Sequence, residues 1–440
     1  MSYVHEPARD LPVLAQADVV VAGGGPAGLC AALAAARNGA TTVLLERQGF
    51  AGGMATAGAL PCLGGFHGQG RQVTFGIPAE IIERLIARGA AAWPARRAWE
   101  SRSGTLTFVD HWELRLLADE MLREAGVEVF FDCWVAGAHL QGDRLTAVLV
   151  ETKAGRRAVT CRAAVDATGD GDLAASAGAP FEIGRPQDGA CQPPTLIFHL
   201  TEVDPEAIAR GRPQEQDLIA RAREAGDLEL HREDVLMFPG HGGIIIVNSS
   251  RVPGVNCVDP ADLTRAEMEA RRLSGSVLHF LRAYWPGFAR ARLAQVASVL
   301  GVRETRRILG DYILTEDDVL QVTDFPDTIA RAFWYVDVHD PHGPGTVWRY
   351  HEPGATTDVP YRCLLPRGVE GLLVAGRPIS TTHEAHGSTR IMSCCAATGQ
   401  AAGTAAAMAA GAGATPRQVP AADLVSRLNA QGANLDLTAA

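Results

Sequence analysis

The segment at residues 18–46 constrains the fold more than any other part of the chain. It begins with a short apolar run (DVVVA, 18–22) and passes directly into a glycine-rich turn (GGGPAG, 23–28). An alanine-rich stretch at 29–38 follows, and a second apolar run at 42–45 leads into an acidic residue. Runs of this kind predict a buried parallel strand, a tight turn, a helix and a second parallel strand, in that order.

The glycines of this turn have separate physical tasks. Gly23 permits the sharp exit from the strand, Gly25 lets a pyrophosphate approach the backbone, and Gly28 lets the helix pack on the sheet. Glu46 follows the second strand, where its carboxylate can accept hydrogen bonds from the hydroxyls of an adenosine ribose. The segment therefore indicates dinucleotide binding, and an ordinary strand–turn–helix is the alternative.

Three further segments indicate which dinucleotide is bound. Glu46-Arg47 leads to a glycine pair in GGMATAG (52–58), which resembles the E-(R/K)-x(n)-G-G-x-x-(S/T) stretch of FAD-binding flavoproteins. The run VDATGDGD (165–172) resembles their second FAD motif. A strand at 372–375, followed by Gly376-Arg377 and an alanine-rich helix from about Ala396, resembles their closing element. Over residues 15–180 and 300–410 the chain thus resembles FAD-dependent oxidoreductases related to the fumarate reductase and succinate dehydrogenase flavoproteins.

This resemblance implies noncovalently bound FAD. It also implies that the N-terminus of the last helix points at the flavin pyrimidine ring. His67 lies where some relatives attach FAD covalently, but its surroundings do not match theirs closely. The implied FAD contacts are Gly23, Gly25, Pro26, Ala27, Gly28, Glu46, Arg47, Gly52, Gly53, Met54, Thr56, Val135, Ala167, Thr168, Gly169, Asp170, Gly376, Arg377, Thr398, Gly399, Gln400 and Ala401.

The predicted fold class is α/β, with a Rossmann-like FAD-binding domain built from glutathione-reductase-type βαβ units on a central parallel sheet. This domain is assigned to residues 15–178 and 355–412, and a mixed α/β substrate or cap domain is inserted at 179–354. The cap is expected to contain helices at 205–225 and 265–297, the second interrupted near Pro286, and a strand at 243–247. Residues 413–440 form a tail with a short helix at 421–428. The active site is expected between the two lobes.

The run HGSTR (386–390) is similar to the H-G-x-x-R stretch of the succinate dehydrogenase group. That likeness makes Arg390 a candidate clamp for a substrate anion, and His386 or His383 a candidate proton donor or base. The alternative is that one histidine only hydrogen-bonds near the flavin while Arg390 pairs with an acid such as Glu384.

Arg303, Arg306 and Arg307 form a second positive cluster, with Arg303 as a further catalytic candidate. These residues either bind an anionic substrate or pair with nearby acids on a solvated face. Arg303 and Arg307 would share one face if the stretch is helical.

A proline- and glycine-rich segment at 337–345 brings several acids and histidines close together in sequence. Asp337, His339, His342 and His351 match no standard metal-ligand spacing, so no metal is predicted. A loop facing the substrate is the preferred interpretation. Trp334-Tyr335 and Trp348 either line an apolar pocket or pack in a core.

Composition excludes several classes of function. Asp and Glu number 50 against 40 Lys and Arg, which disfavours a nucleic-acid partner. Nine cysteines without a CxxC pair indicate neither an iron–sulfur nor a zinc site, and they favour a reducing compartment. No apolar leader or membrane-length run is present, so a cytoplasmic protein without membrane association is expected.

We therefore expect a dehydrogenase, oxidase or ene-reductase that transfers a hydride between a small anionic organic molecule and flavin N5. Only one GxGxxG unit is apparent, so no dedicated NAD(P)H domain is expected, and oxygen, a quinone or a partner protein exchanges the electrons. A homo-oligomer is possible. A flavin monooxygenase or halogenase, a tRNA-modifying flavoprotein and a non-enzymatic FAD-binding protein are the alternatives.

Overall fold

The computed structural model describes residues 4–100, 104–321, 323–353 and 355–436. The α-helices are α1 (Pro26–Arg37), α2 (Ile77–Ala87), α3 (His111–Glu124), α4 (Asp172–Ser176), α5 (Pro205–Gly211), α6 (Glu215–Glu224), α7 (Pro260–Tyr284), α8 (Glu316–Leu320), α9 (His383–Thr389), α10 (Met392–Ala412) and α11 (Ala421–Ala430). The β-strands are β1 (Val13–Gln16), β2 (Val19–Ala22), β3 (Thr42–Leu45), β4 (Cys62–Gly64), β5 (His67–Gly68), β6 (Arg71–Gln72), β7 (Leu106–Phe108), β8 (Glu128–Phe130), β9 (Trp134–Gln141), β10 (Arg144–Thr152), β11 (Gly155–Thr160), β12 (Ala163–Asp166), β13 (Phe181–Ile183), β14 (Thr195–Thr201), β15 (Met237–Pro239), β16 (Ile245–Arg251), β17 (Arg292–Val296), β18 (Arg306–Ile308), β19 (Thr328–Ala332), β20 (Val336–His339), β21 (Thr346–Arg349), β22 (Thr357–Pro360) and β23 (Leu372–Val374).

The central sheet has five parallel strands in the order β23-β12-β2-β3-β8. Every residue of β2, β3 and β12 is buried, as expected for strands covered on both faces. The positions of β2, β3 and β23 confirm the strands predicted at 18–22, 42–45 and 372–375. Because the strands are parallel, the segments that follow β2, β3, β12 and β23 all emerge at one edge of the sheet, where such folds bind their ligands.

Helices α1 and α10 pack backbone to backbone beside this sheet. A methyl group added at Gly399 would lie 2.0 Å from the carbonyl oxygen of Ala27, and one added at Gly403 would lie 2.0 Å from that of Ala31. The small residues of both helices therefore set their close approach. Helix α10 begins at Met392, four residues before the predicted start.

A second sheet forms the core of the cap. Its antiparallel strands run in the order β15-β16-β14-β17, and α5, α6 and α7 bury Ile208, Leu218 and Phe280 in the same core. The helix predicted at 205–225 is split by a 3₁₀ turn at Arg212–Gln214. The prediction that the second cap helix continues to 297 was wrong. Helix α7 ends at Tyr284, shortly before Pro286, and the chain then forms strand β17.

Part of the predicted cap segment packs with the first lobe. Ile308, Leu314, Val319 and Ile329 belong to the same core as the central parallel sheet, so the cap core itself lies at residues 198–291. Helix α11 confirms the predicted tail helix, and the last four residues of that tail lie outside the described residues. Within the described ranges, no helix combines the length and the apolar character needed to cross a membrane.

Candidate functional site

A cavity of about 530 Å³ begins at the edge of the central sheet and extends to the cap. It brings together segments that are far apart in sequence, namely the glycine-rich turn, the DATGD segment, the loop after β23 and the segment that begins at Asp337. The sequence-predicted residues that line it are Gly23, Gly25, Pro26, Ala27, Glu46, Arg47, Gly53, Met54, Val135, Ala167, Thr168, Gly169, Asp170, Arg303, Gly376, Arg377 and Arg390.

Three predicted FAD residues near the N-terminus support the lining instead of forming it. A methyl group at Gly28 would lie 1.7 Å from the carbonyl oxygen of Gly23, so this glycine lets α1 pack against the turn. The Gly52 amide donates to the Gly24 carbonyl at 2.8 Å, and the Thr56 hydroxyl donates to the Ala51 carbonyl at 2.9 Å. These contacts hold the second glycine loop against the first.

The four residues predicted on the last helix, Thr398, Gly399, Gln400 and Ala401, do not line the cavity. Since α10 begins at Met392, these residues lie one to two turns inside the helix. Thr398 accepts a hydrogen bond from the Gly376 amide at 3.1 Å, and Gln400 accepts one from the Ile77 amide at 2.8 Å. The N-terminal end of α10 does reach the cavity, through Ile391, Met392 and Cys395.

The sheet end of the cavity fits an FAD dinucleotide. Helix α1 has no side-chain cap at its N-terminus and no acidic residue in its first turn, so its free N–H groups can receive a pyrophosphate. A methyl group at Gly25 would meet only the Cα of Gly53, at 3.9 Å, so the turn is open there. Helix α10 likewise has no side-chain cap and no first-turn acid where it meets the cavity.

Glu46 and Asp170 supply charge at this end. Glu46 accepts the Gly24 amide at 2.5 Å and the Gln48 amide at 2.7 Å, and each carboxylate oxygen keeps a further lone pair for a ribose hydroxyl. Burial raises the pKa of Glu46 above its ordinary value. Asp170 pairs with Arg377 at 2.5 Å; burial alone would raise its pKa, but the charges of Arg377 and Arg47 hold it below the ordinary range.

The opposite end of the cavity carries buried arginines. Arg303, which is 9% exposed, donates from Nη1 to the Pro193 carbonyl and the Thr195 hydroxyl, both at 2.7 Å. Burial, together with the positive charges of Arg390 and Arg251, pushes its pKa well below the ordinary arginine value. A guanidinium in such a setting gains from a nearby anion.

Asp337 is the carboxylate that balances this charge. It accepts Arg390 Nη2 at 3.2 Å and the Trp348 indole N–H at 3.2 Å, and it lies 3.5 Å from His339 Nε2. Burial alone would raise its pKa, but the hydrogen bond from His339 and the charges of Arg390 and Arg303 outweigh burial and hold it well below its ordinary value. Asp337 is therefore ionised at neutral pH.

His339 is held neutral between two charged groups. Its Nδ1 accepts from Arg251 Nη2 at 2.5 Å, which leaves the ring proton on Nε2, facing Asp337. Burial and the neighbouring Arg303 lower its pKa well below the ordinary value. Both ring nitrogens are engaged, so His339 orients Asp337.

The two histidines predicted as proton donors do not line the cavity. His383 Nδ1 lies 2.9 Å from a Glu304 carboxylate oxygen, and His386 Nε2 donates to the Arg377 carbonyl at 3.1 Å. Burial and the charge of Arg307 push the pKa of His386 well below its ordinary value. The arrangement matches the alternative of a histidine that only hydrogen-bonds behind the flavin site. Arg390, however, pairs with Asp337, not with Glu384.

The second arginine cluster is not a solvated helical face. Its residues lie in extended chain around β18, where Arg307 is buried against Glu304 and Arg306 pairs with Asp172 at 2.8 Å. The interpretation as a solvated face is therefore wrong, and only Arg303 of the three lines the cavity.

The segment at 337–351 is divided between two environments. Asp337, His339, Thr346 and Trp348 line the cavity, as do Trp334 and Tyr335, whose rings stack 4.9 Å apart. His342 pairs with Asp188 at 3.0 Å, and His351 hydrogen-bonds Thr357 at 3.0 Å.

His67 is buried but does not line the cavity. Its ring packs edge-on against Trp93 at 4.9 Å, and its Nδ1 lies 3.3 Å from the Thr105 hydroxyl. Burial lowers its pKa to about 4. Its position is consistent with FAD that is not attached at this residue.

Sequence reasoning missed three cap residues at the arginine end, namely Arg232, Asn248 and Arg251. Arg232 and Asn248 line the cavity, and Arg251 lies behind His339. Asn248 directly follows the apolar run IIIV (244–247), and a polar residue at that point of a strand could have indicated a functional position. Arg232 lies in a loop with no recognisable pattern.

A glycine-lined dinucleotide cleft continuous with a capped, charged cavity defines a flavin-dependent enzyme of the two-lobe type. Residues 18–428 match the family model described as FAD dependent oxidoreductase. The chain belongs to that family. It is accordingly an oxidoreductase, and its cofactor is FAD.

The chain is also similar to several solved structures, at low identity and with TM-scores below 0.5. p-Nitrophenol 4-monooxygenase from Pseudomonas putida is 13% identical (TM-score 0.45; 94% of this chain and 84% of that chain). The flavin-dependent brominase Bmp2 is 14% identical (0.47; 94% and 84%), and a geranylgeranyl bacteriochlorophyll reductase-like protein from Thermoplasma acidophilum is 12% identical (0.43; 94% and 83%). Similarity at this level does not indicate which reaction the chain catalyses. A search of curated proteins gave no match.

Proposed function

We propose that this enzyme transfers a hydride between a small organic anion and N5 of its noncovalently held FAD. The observation that carries the proposal is the continuity of the cavity, which runs from the glycine-rich turn to Arg303 and Arg390. FAD bound at the sheet end supplies the hydride acceptor or donor. An anion held by the arginines then places its neighbouring carbon in the same cavity.

Arg390 and Arg303 hold the anion in this proposal. Arg390 is fixed by Asp337 through its Nη2, and its Nε has no hydrogen-bond partner among the residues that the structure describes. Among the described residues, Arg303 is held by hydrogen bonds from its Nη1 alone. Both side chains therefore keep N–H groups for a ligand, and a guanidinium can bind a carboxylate through two parallel hydrogen bonds.

Tyr335 is the candidate proton donor. Its ring lines the cavity, and burial, followed by the negative charge of Asp337, raises its pKa above the ordinary tyrosine value. Its hydroxyl oxygen therefore keeps its proton at neutral pH and can donate it as substrate charge develops. This assignment replaces the histidines of the 383–390 segment, which do not reach the cavity.

The test is anaerobic reduction of the holoprotein. A panel of small carboxylic acids and their uncharged amides is mixed with the enzyme, and bleaching of the flavin absorbance is followed; where reduced enzyme is the starting state, reoxidation by unsaturated acids is followed instead. We expect acids to react and amides not to. Arg390→Ala should lower the efficiency of flavin reduction roughly 10- to 100-fold, as expected for the loss of a charged hydrogen bond.

Arg265→Ala is the matched control, because Arg265 is an exposed arginine paired with Asp262 on α7. It should react as the unmodified enzyme does. Equal rates for Arg390→Ala and Arg265→Ala would overturn the anion clamp. Amides reacting as fast as acids would overturn the anionic substrate.

A further inference from the structure

The cap wall of the cavity contains a polar pair that the proposed clamp does not use. Arg232 and Asn248 are each 7% exposed and line the cavity. Arg232 is held by Asp234 through Nε and Nη2, at 3.2 and 2.9 Å. In the described part of the chain, its Nη1 and the Oδ1 of Asn248 have no hydrogen-bond partner.

A buried polar atom without a partner is costly, so native sites satisfy such atoms with a ligand or water. Here one atom is a donor and the other is an acceptor. A hydroxyl group can accept from one neighbour and donate to another, so it satisfies both. A second carboxylate would accept from Arg232, but its oxygens would face the Asn248 oxygen, and two acceptors cannot form a hydrogen bond with each other.

Aromatic side chains line the same cavity as this polar pair and the arginine clamp. Trp334 and Tyr335 stack at 4.9 Å with an interplanar angle of 21°, and Trp348 and Phe238 line the same cavity. Flat aromatic walls favour a flat, apolar body, which they contact face-on or edge-on. The cavity thus offers an anion clamp, aromatic walls and a hydroxyl-binding pair.

We infer that the substrate is a hydroxylated aromatic carboxylic acid, whose carboxylate binds Arg303 and Arg390 and whose ring hydroxyl lies between Arg232 and Asn248. This inference rests on the proposed function, because the orientation comes from the anion clamp. It adds Arg232 and Asn248 as residues that determine specificity. They select for a second oxygen on the ring and do not touch the reacting carbon.

The experiment measures binding to the oxidised holoenzyme by the change in flavin absorbance. The probes are 3-(4-hydroxyphenyl)propanoate, 3-phenylpropanoate and the uncharged alcohol 3-(4-hydroxyphenyl)propan-1-ol, with the acetate and butanoate homologues of each to vary the length. For the best length, the hydroxylated acid should bind about tenfold more tightly than the acid without the hydroxyl, because losing that group leaves two buried atoms unpaired.

Asn248→Ala and Arg232→Met should each reduce the ratio of the two affinities, hydroxylated acid against unhydroxylated acid in the same variant, from about tenfold to about one. FAD content and thermal unfolding identify a variant that has lost its fold, and the comparison of ligands in the unmodified enzyme does not depend on any variant.

The outcomes separate the two proposals. Equal binding of the acids with and without the hydroxyl, with weaker binding of the alcohol, would overturn the hydroxyl site and leave the anion clamp standing. Alcohols binding as tightly as acids would overturn the clamp itself. A hydroxyl preference that persists in both variants, or no binding of any probe at millimolar concentration, would also overturn the inference.

Discussion

Asp337 is the counter-charge on which the arginine end of the cavity depends, and its replacement by asparagine is the sharpest test of that electrostatic arrangement. Arg303 and Arg251 have no carboxylate among their hydrogen-bond partners in the described residues, whereas Arg390 has Asp337. Asp337→Asn keeps the shape of the side chain and removes its charge. Three guanidinium groups then share the site without the carboxylate that pairs with Arg390.

The expected cost follows from the burial of the pair. Removing one partner of a buried ion pair costs about 3–5 kcal/mol in the free energy of unfolding. Both side chains are 14% exposed, so some solvent screening remains and the lower end, about 3 kcal/mol, is expected. The same substitution on an exposed pair, Glu6→Gln beside Arg9, should cost no more than about 0.5 kcal/mol.

The pH dependence has a definite sign. The folded-state pKa of Asp337 is depressed, so its stabilisation is present above the unfolded value of about 4 and is lost as pH falls below it. The stability difference between the unmodified enzyme and Asp337→Asn should be greatest at neutral pH and should shrink under acid conditions. Added sulfate should raise the melting temperature of the variant more than that of the unmodified enzyme, because the anion replaces the lost charge.

The assay is thermal unfolding of both proteins across pH, with and without sulfate, alongside Glu6→Gln. A variant as stable as the surface control at neutral pH would refute the reasoning, because the arginines would then not need Asp337. A stability difference that grows as pH falls would refute the assignment of Asp337 as the ionised partner.

Two other predictions concern the cofactor and the protonation of buried groups. Gly28→Ala should abolish FAD retention, because the new methyl group would lie 1.7 Å from the Gly23 carbonyl oxygen; the ratio of flavin to protein absorbance measures this, and Gly275→Ala, with no atom within 4 Å, should keep its FAD. Burial lowers the pKa of His351 to about 4, so between about pH 6.5 and pH 4 the unfolded chain takes up a proton that the folded chain does not. The free energy of unfolding therefore decreases as the pH is lowered through that window. His351→Gln should flatten that loss in denaturation measured across pH, the exposed His279→Gln should not, and identical pH profiles for the two variants would contradict the prediction.

The parts of the protein whose conformation depends on short-range sequence patterns were predictable from the sequence. The order of β2, α1, β3 and Glu46 follows from short-range patterns, because the glycine turn and the apolar runs each determine their own conformation. The same holds for the DATGD turn and for the strand before Gly376. These segments carry FAD recognition in the backbone, so 15 of the 22 predicted FAD residues line the cavity.

Long-range placement was decided only by the tertiary structure. Because α10 starts early, Ile391, Met392 and Cys395 line the cavity, and the predicted contacts at 398–401 do not. His383 and His386 lie close to Arg390 in sequence, but both are inside α9, which ends at Thr389. Their ring nitrogens contact Glu304 and the Arg377 carbonyl instead of the cavity.

The arginine end of the cavity is assembled from several separate chain segments. Arg303 approaches the Arg390–Asp337 pair from one segment, and Arg232 and Asn248 approach from the cap. No local pattern encodes that meeting, because it arises from how the cap sheet packs over the edge of the central sheet. The sequence therefore determined the cofactor, and the packing of the two lobes determined which side chains line the rest of the cavity.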